Sequence, residues 1–174
     1  MRHGPHRAVP SQQGRRPTAQ LKMRHTLYII LSAAVILSAC TGRTVYDKYL
    51  PTPVEGWERS DTLTFSIPKL TGTGRYRQEI GLRINGAYPF TAVSLLVEQT
   101  VEPGHRVTAD TINCRLYDSK GNHLGNGVSY FQYSFILSDT ELQKGDSLNI
   151  RVRHIMRRET LPGISDIGFK MTRK

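Results

Sequence analysis

The chain has 174 residues, 24 Lys and Arg against 14 Asp and Glu, and a formal charge of +10. Its 38% hydrophobic content and two cysteines exclude both a low-hydrophobicity disordered chain and a disulfide-stapled miniprotein. Six basic residues (Arg2, Arg7, Arg15, Arg16, Lys22, Arg24) and no acid lie in residues 1–39, so residues 40–174 carry 18 basic against 14 acidic side chains, a surplus of +4 too small for the dense basic stripe of a nucleic-acid binder.

Residues 23–40 run from a basic start (Arg24, His25) through an apolar stretch to Leu37-Ser38-Ala39-Cys40. That order is a secretory signal. The stretch is about 11 residues, short of the roughly 20 that cross a bilayer as a helix. Its ending resembles the bacterial lipobox, which implies diacylglyceryl transfer to the Cys40 thiol and cleavage before it. Several acyl chains on one residue make a stable membrane anchor. Residues 1–39 are thus expected to form a signal helix that is removed. Residues 1–22, rich in Pro, Gln and Arg and followed by a second Met at 23, are either a mis-called start or a long basic leader.

Pro51, Pro53 and Gly56 interrupt residues 40–62, which are expected to form a tether from the lipid to the fold. Val45, Tyr46, Tyr49 and Trp57 are too apolar for a fully solvated linker, so its second half should lie against the domain. From residue 63 onward the chain alternates apolar and polar residues, the pattern of strands with one buried face. Leu63, Phe65 and Ile67 share a face. Tyr76, Gln78, Ile80, Leu82 and Ile84 point inward against Arg75, Arg77, Glu79 and Arg83, and Asn85-Gly86 turns the chain. Further strands follow at Val93, Leu95 and Val97, at Ile112, Cys114 and Leu116, and over residues 129–137. A short helical turn is expected near residues 139–143. Leu148, Ile150 and Val152, then Ile167, Phe169 and Met171, complete about eight strands. That count predicts an all-β domain over 63–174, an antiparallel two-sheet β-sandwich of jelly-roll or immunoglobulin-like type, because a single sheet would leave one apolar face wet.

Several pieces of the chain in order resemble one family. They are Cys40, Val45-Tyr46-Asp47, Gly56-Trp57, Arg83-Ile84-Asn85 with Tyr88-Pro89-Phe90, the Gly-rich turn at 121–127, Arg153-His154-Ile155-Met156-Arg157, and residues 161–168. Together they are similar to the gliding motility lipoprotein GldH family of Bacteroidetes. In the turn, His123-Leu124 stands where that family leads one to expect an aromatic residue. The resemblance implies a non-catalytic envelope lipoprotein that supports gliding or the associated type IX secretion machinery through protein contacts. It also implies a periplasm-facing position, since Thr41-Gly42-Arg43-Thr44 lacks the acidic residues that mark surface export in such lipoproteins.

The remaining chemistry is sparse. No Gly-x-Ser-x-Gly, His-Glu-x-x-His or P-loop motif is present, so no enzymatic activity, cofactor or metal is expected. His105, His123 and His154 have no ligand spacing. Cys114 reads as a small buried hydrophobe. If their strands are neighbours, Arg75, Arg77, Arg83, Arg151 and Arg153, with Arg157 following, would build a basic face for anionic headgroups or an acidic partner. Solvated charges that guard strand edges are the competing reading. Trp57 and Tyr130 are candidate aromatic contacts, with packing of the tether onto the sandwich the stronger reading for Trp57, and with them a carbohydrate-binding lipoprotein is the alternative function.

Overall fold

The computed structural model describes residues 44–174, together with Met1 and Gly4. The expected signal helix and Cys40 lie outside the described residues. In chain order the strands are β1 (Thr44–Pro51), β2 (Trp57–Glu58), β3 (Leu63–Ile67), β4 (Gly74–Asn85), β5 (Ala92–Glu102) and β6 (Arg106–Arg115). They continue with β7 (Asn126–Gly127), β8 (Tyr130–Leu142), β9 (Ser147–His154), β10 (Thr160–Leu161) and β11 (Ile164–Arg173). One antiparallel sheet has the order β1-β11-β4-β8-β7, a second β3-β9-β5-β6, and β2 pairs with β10 as a small ribbon.

Period-two patterning explains the sandwich. Ile80, Leu82, Ile84 and Phe169 from the five-stranded sheet meet Val93, Leu95, Ile150 and Val152 from the four-stranded one in a single core. One polar bridge crosses it, with Gln78 Nε2 donating to Gln99 Oε1 at 2.7 Å. Both amides are buried, so their mutual bond satisfies groups that would otherwise be desolvated without a partner.

The fold begins earlier than the sequence suggests. Residues 44–51, expected to be tether, form edge strand β1, paired with β11 from Thr44↔Thr172 to Pro51↔Asp166. Pro51 ends this strand rather than preventing it, since an edge position tolerates a missing amide hydrogen. On the inner side Tyr46 meets Phe169 at a centroid distance of 6.2 Å. On the outer side the Tyr49 ring lies along the row Tyr49–Gly168–Gly81 and fills the space where those glycines lack side chains. The Arg83 guanidinium caps it, 4.0 Å from the ring centroid.

Two further departures share one cause, a break in the alternation. β8 runs through Leu142, so residues 139–142 of the turn expected near 139–143 are strand. A register shift opposite Gln78 and Glu79 moves Ser138 and Thr140 onto the phase of the inward set, and polar residues there hide the strand from a pattern search. β6 starts at Arg106 rather than near 112, because its first six residues are exposed and carry no apolar alternation.

Candidate functional site

The candidate arginines do not converge. Arg75, Arg77 and Arg83 stand on the outward face of β4, and Arg151 and Arg153 on that of β9, in opposite sheets of the sandwich. The expected single basic face therefore does not form. Alternation shows which side of a strand faces out, not which sheet holds it. Most of these cations are also engaged. Arg77 Nε lies 3.2 Å from Asp139 Oδ1, and Arg151 3.6 Å from Glu98. Arg83 donates to Gln132 Oε1 at 3.2 Å besides covering Tyr49. Arg157 is exposed in the bend after β9.

Trp57 is fully buried and cannot contact a sugar. Its indole donates to the Asp61 carbonyl at 3.2 Å, and the His154 ring meets it edge-on at 5.2 Å. His154 Nε2 lies 3.1 Å from the Trp57 carbonyl, while its Nδ1 has no partner among the described residues. Burial pushes the His154 pKa below its ordinary value of 6.5. A single tryptophan in a Pro- and Gly-broken stretch thus packs that stretch onto the domain.

Tyr130, in contrast, is 58% exposed. It starts the most apolar strand, and the same margin of the sheet exposes Leu124, Val128 and Ile136. β7 pairs with only Gln132 and Phe131 of β8. Among the described residues, β8 beyond Tyr133 has no strand partner on that side. Bare strand edges attract further strands, and proteins usually guard them with brevity, charge or proline. The other edges follow that rule: β3 has five residues, β1 carries Asp47, Lys48 and Pro51, and β6 carries Arg106, Asp110 and Arg115. Residues 133–138 of β8 contain no charged side chain.

An aromatic ladder supports this margin. The His123 ring stacks on Phe131 at 3.5 Å with planes 7° apart, lies 4.3 Å from Tyr117, and places Nδ1 2.8 Å from the Tyr133 hydroxyl. Imidazole thus occupies the place in the Gly-rich turn where an aromatic was expected. Sequence reasoning singled out β8 for its apolarity but missed its open edge, because pairing partners leave no mark in a single strand.

Between the 88–92 segment and the turn after β6 lies an open hollow of about 760 Å³ lined by Tyr88, Phe90, Asn113, Arg115, Tyr117 and Asp118. Tyr88 donates its hydroxyl to the Ala92 carbonyl at 2.9 Å, and burial raises its pKa, so it is a packing group. Asp118 is held below the usual carboxylate range, chiefly by the Asn122 side chain, which donates at 3.0 Å. Burial pushes the Cys114 thiol up to about 12, which suits a packing residue and not a nucleophile. Among the described residues, no three His, Cys, Asp or Glu side chains gather as a metal site.

Residues 44–171 match the GldH lipoprotein family. The gliding motility lipoprotein GldH of Flavobacterium johnsoniae is 27% identical over 153 residues, covering 84% of this chain and 95% of that protein. A homolog from Christiangramia forsetii is 21% identical, covering 87% and 97%. Among solved structures, a family 35 carbohydrate binding module from Clostridium thermocellum is 12% identical with a TM-score of 0.34, covering 71% of this chain and 89% of that module. That likeness is too slight to bear on ligand or topology. The match over 44–171 spans all but the last two residues of β11 and every other strand, and the chain belongs to the GldH lipoprotein family.

Proposed function

We propose that the mature protein begins at a lipidated Cys40, faces the periplasm, and acts without turnover by holding partners of the gliding or type IX secretion machinery. The open β8 edge carries this reading. Its unpaired amides and carbonyls accept an extended segment of another protein, and Tyr130 and Ile136 supply apolar contacts beside it. The relatives' names support the gliding motility part of this reading.

The test is a photo-crosslinking residue placed at Ile136 in cells, with one at exposed Val107 on β6 for comparison. Recovery of envelope motility or secretion proteins from position 136, weaker from 107 and lost with Cys40→Ala, is the expected result. Equal recovery from both positions, or none, refutes it. The hollow beside Phe90 and Tyr117, with Arg115 and Asn113 as polar groups, favours a second reading, carbohydrate binding. Retention on a glycan array that Tyr117→Ala abolishes would support it.

A further inference from the structure

Charge is distributed along the length of the sandwich rather than across its faces. The row Thr44–Thr172–Arg77–Asp139 crosses the five-stranded sheet where β1 starts, and the residues beyond it form one end of the fold. Strand ends there supply Arg75, Arg77, Arg173 and Lys174, and turns supply Lys69 and Lys144. Arg106 belongs to the same end, because it pairs with Val101 and lies 3.4 Å from Asp146 in the β8–β9 turn. Four side-chain carboxylates, Glu102, Asp139, Glu141 and Asp146, oppose these seven cations. Asp139 alone is shared by three of them, Arg75 at 3.9 Å, Arg77 at 3.2 Å and Lys174, which holds its carboxyl below the usual range. The opposite end, made by residues 53–62, 86–91, 116–125 and 155–163, has four cations against five carboxylates.

The basic end is also the one nearest the anchor in the chain. Three residues lie between Cys40 and Thr44, so the four steps from one to the other reach at most about 14 Å at roughly 3.5 Å per residue. That is comparable to the screening length of about 8–10 Å at physiological salt. Juxtamembrane cations at such distances interact with anionic lipid headgroups.

We propose that this end of the sandwich, presenting Lys69, Lys144, Arg173 and Lys174, seats directly on anionic headgroups of the membrane that holds the Cys40 lipid. The seat rests on the lipidation reading above and goes beyond it, because it fixes orientation: the β4–β5 and β6–β7 loops, with the hollow between them, face away from the bilayer.

The test uses the lipidated protein on vesicles of phosphatidylcholine, alone or mixed with phosphatidylglycerol. An amine-reactive reagent labels lysines, and mass spectrometry compares Lys69, Lys144 and Lys174 with Lys120 at the opposite end. Several-fold slower labelling of the first three on anionic vesicles only, reversed by high salt, is the expected result. In a Lys69→Glu, Lys144→Glu, Arg173→Glu variant, Lys174 should regain the rate seen on neutral vesicles. Equal rates on both vesicles overturn the proposal. So does protection seen in native membranes but on neither vesicle, which would assign this end to an acidic partner. The mass of the N-terminal peptide and flotation on neutral vesicles report the lipid separately, so loss of the anchor is distinguishable from loss of the seat.

Discussion

Replacing Gly168 by alanine should destabilise the fold only while Tyr49 is present. A Cβ built on Gly168 lies 2.6 Å from Tyr49 Cε1. Carbon contacts favour about 3.5–4.0 Å, so the ring must move by about 1 Å against Gly81 and Arg83. Overpacking of that kind costs about 1–3 kcal/mol. In a Tyr49→Ala background the space is empty, and Gly→Ala inside a strand should then stabilise by roughly 0.5–1 kcal/mol through lost chain entropy. The two substitutions should therefore couple by about 1.5–4 kcal/mol, with the sign of the Gly168→Ala effect reversing. Urea unfolding of the four proteins reads the cycle, with buried Trp57, the single tryptophan, as fluorescent reporter. Equal destabilisation by Gly168→Ala in both backgrounds would refute the clamp and leave β1 held by its ladder and by Tyr46 on the inner side.

Other substitutions probe the remaining groups. Burial lowers the His154 pKa in the fold, so the unfolded chain binds the proton more readily; stability should hold above about pH 7 and fall as pH drops below 6.5, until the folded site is itself protonated. His154→Gln should flatten that fall in the urea midpoint between pH 7.5 and about 5. Cys114, with its thiol pushed up to about 12 and no exposed surface, should not react with a thiol reagent in native buffer and should react fully in denaturant. His123→Ala should cost about 2 kcal/mol through loss of the Phe131 stack and the Tyr133 contact, whereas His123→Phe should recover the stacking part, measured by thermal melts.

Strands whose inward positions are apolar were legible: β3, most of β4, β5, β9 and β11 follow from alternation alone. β1 was not, because Pro51 and Pro53 suggest a linker, and its clearest mark is the absence of side chains at Gly81 and Gly168 on other strands. The second half of β8 and the first half of β6 were hidden by polar residues at inward positions or by exposure on both faces. For the candidate site, outward-facing arginines were correctly read as outward, but sheet membership is a long-range fact that local pattern does not carry. For Trp57, packing against the domain was legible from its apolar character and agrees with its full burial, whereas the ribbon that covers it, formed with residues over 100 positions away, was not.

β1 has a mechanical consequence. Tension applied through the N-terminal segment reaches the folded body at Thr44, the first residue of an eight-residue strand laid antiparallel along β11. A pull along the strand loads the hydrogen bonds of that ladder together, in shear, with Tyr49 wedged across the glycines as a cleat. A pull across the strand instead opens the ladder one bond at a time, starting at the register shift beside Tyr46. The protein is therefore stiff in one direction of traction and yielding in the other.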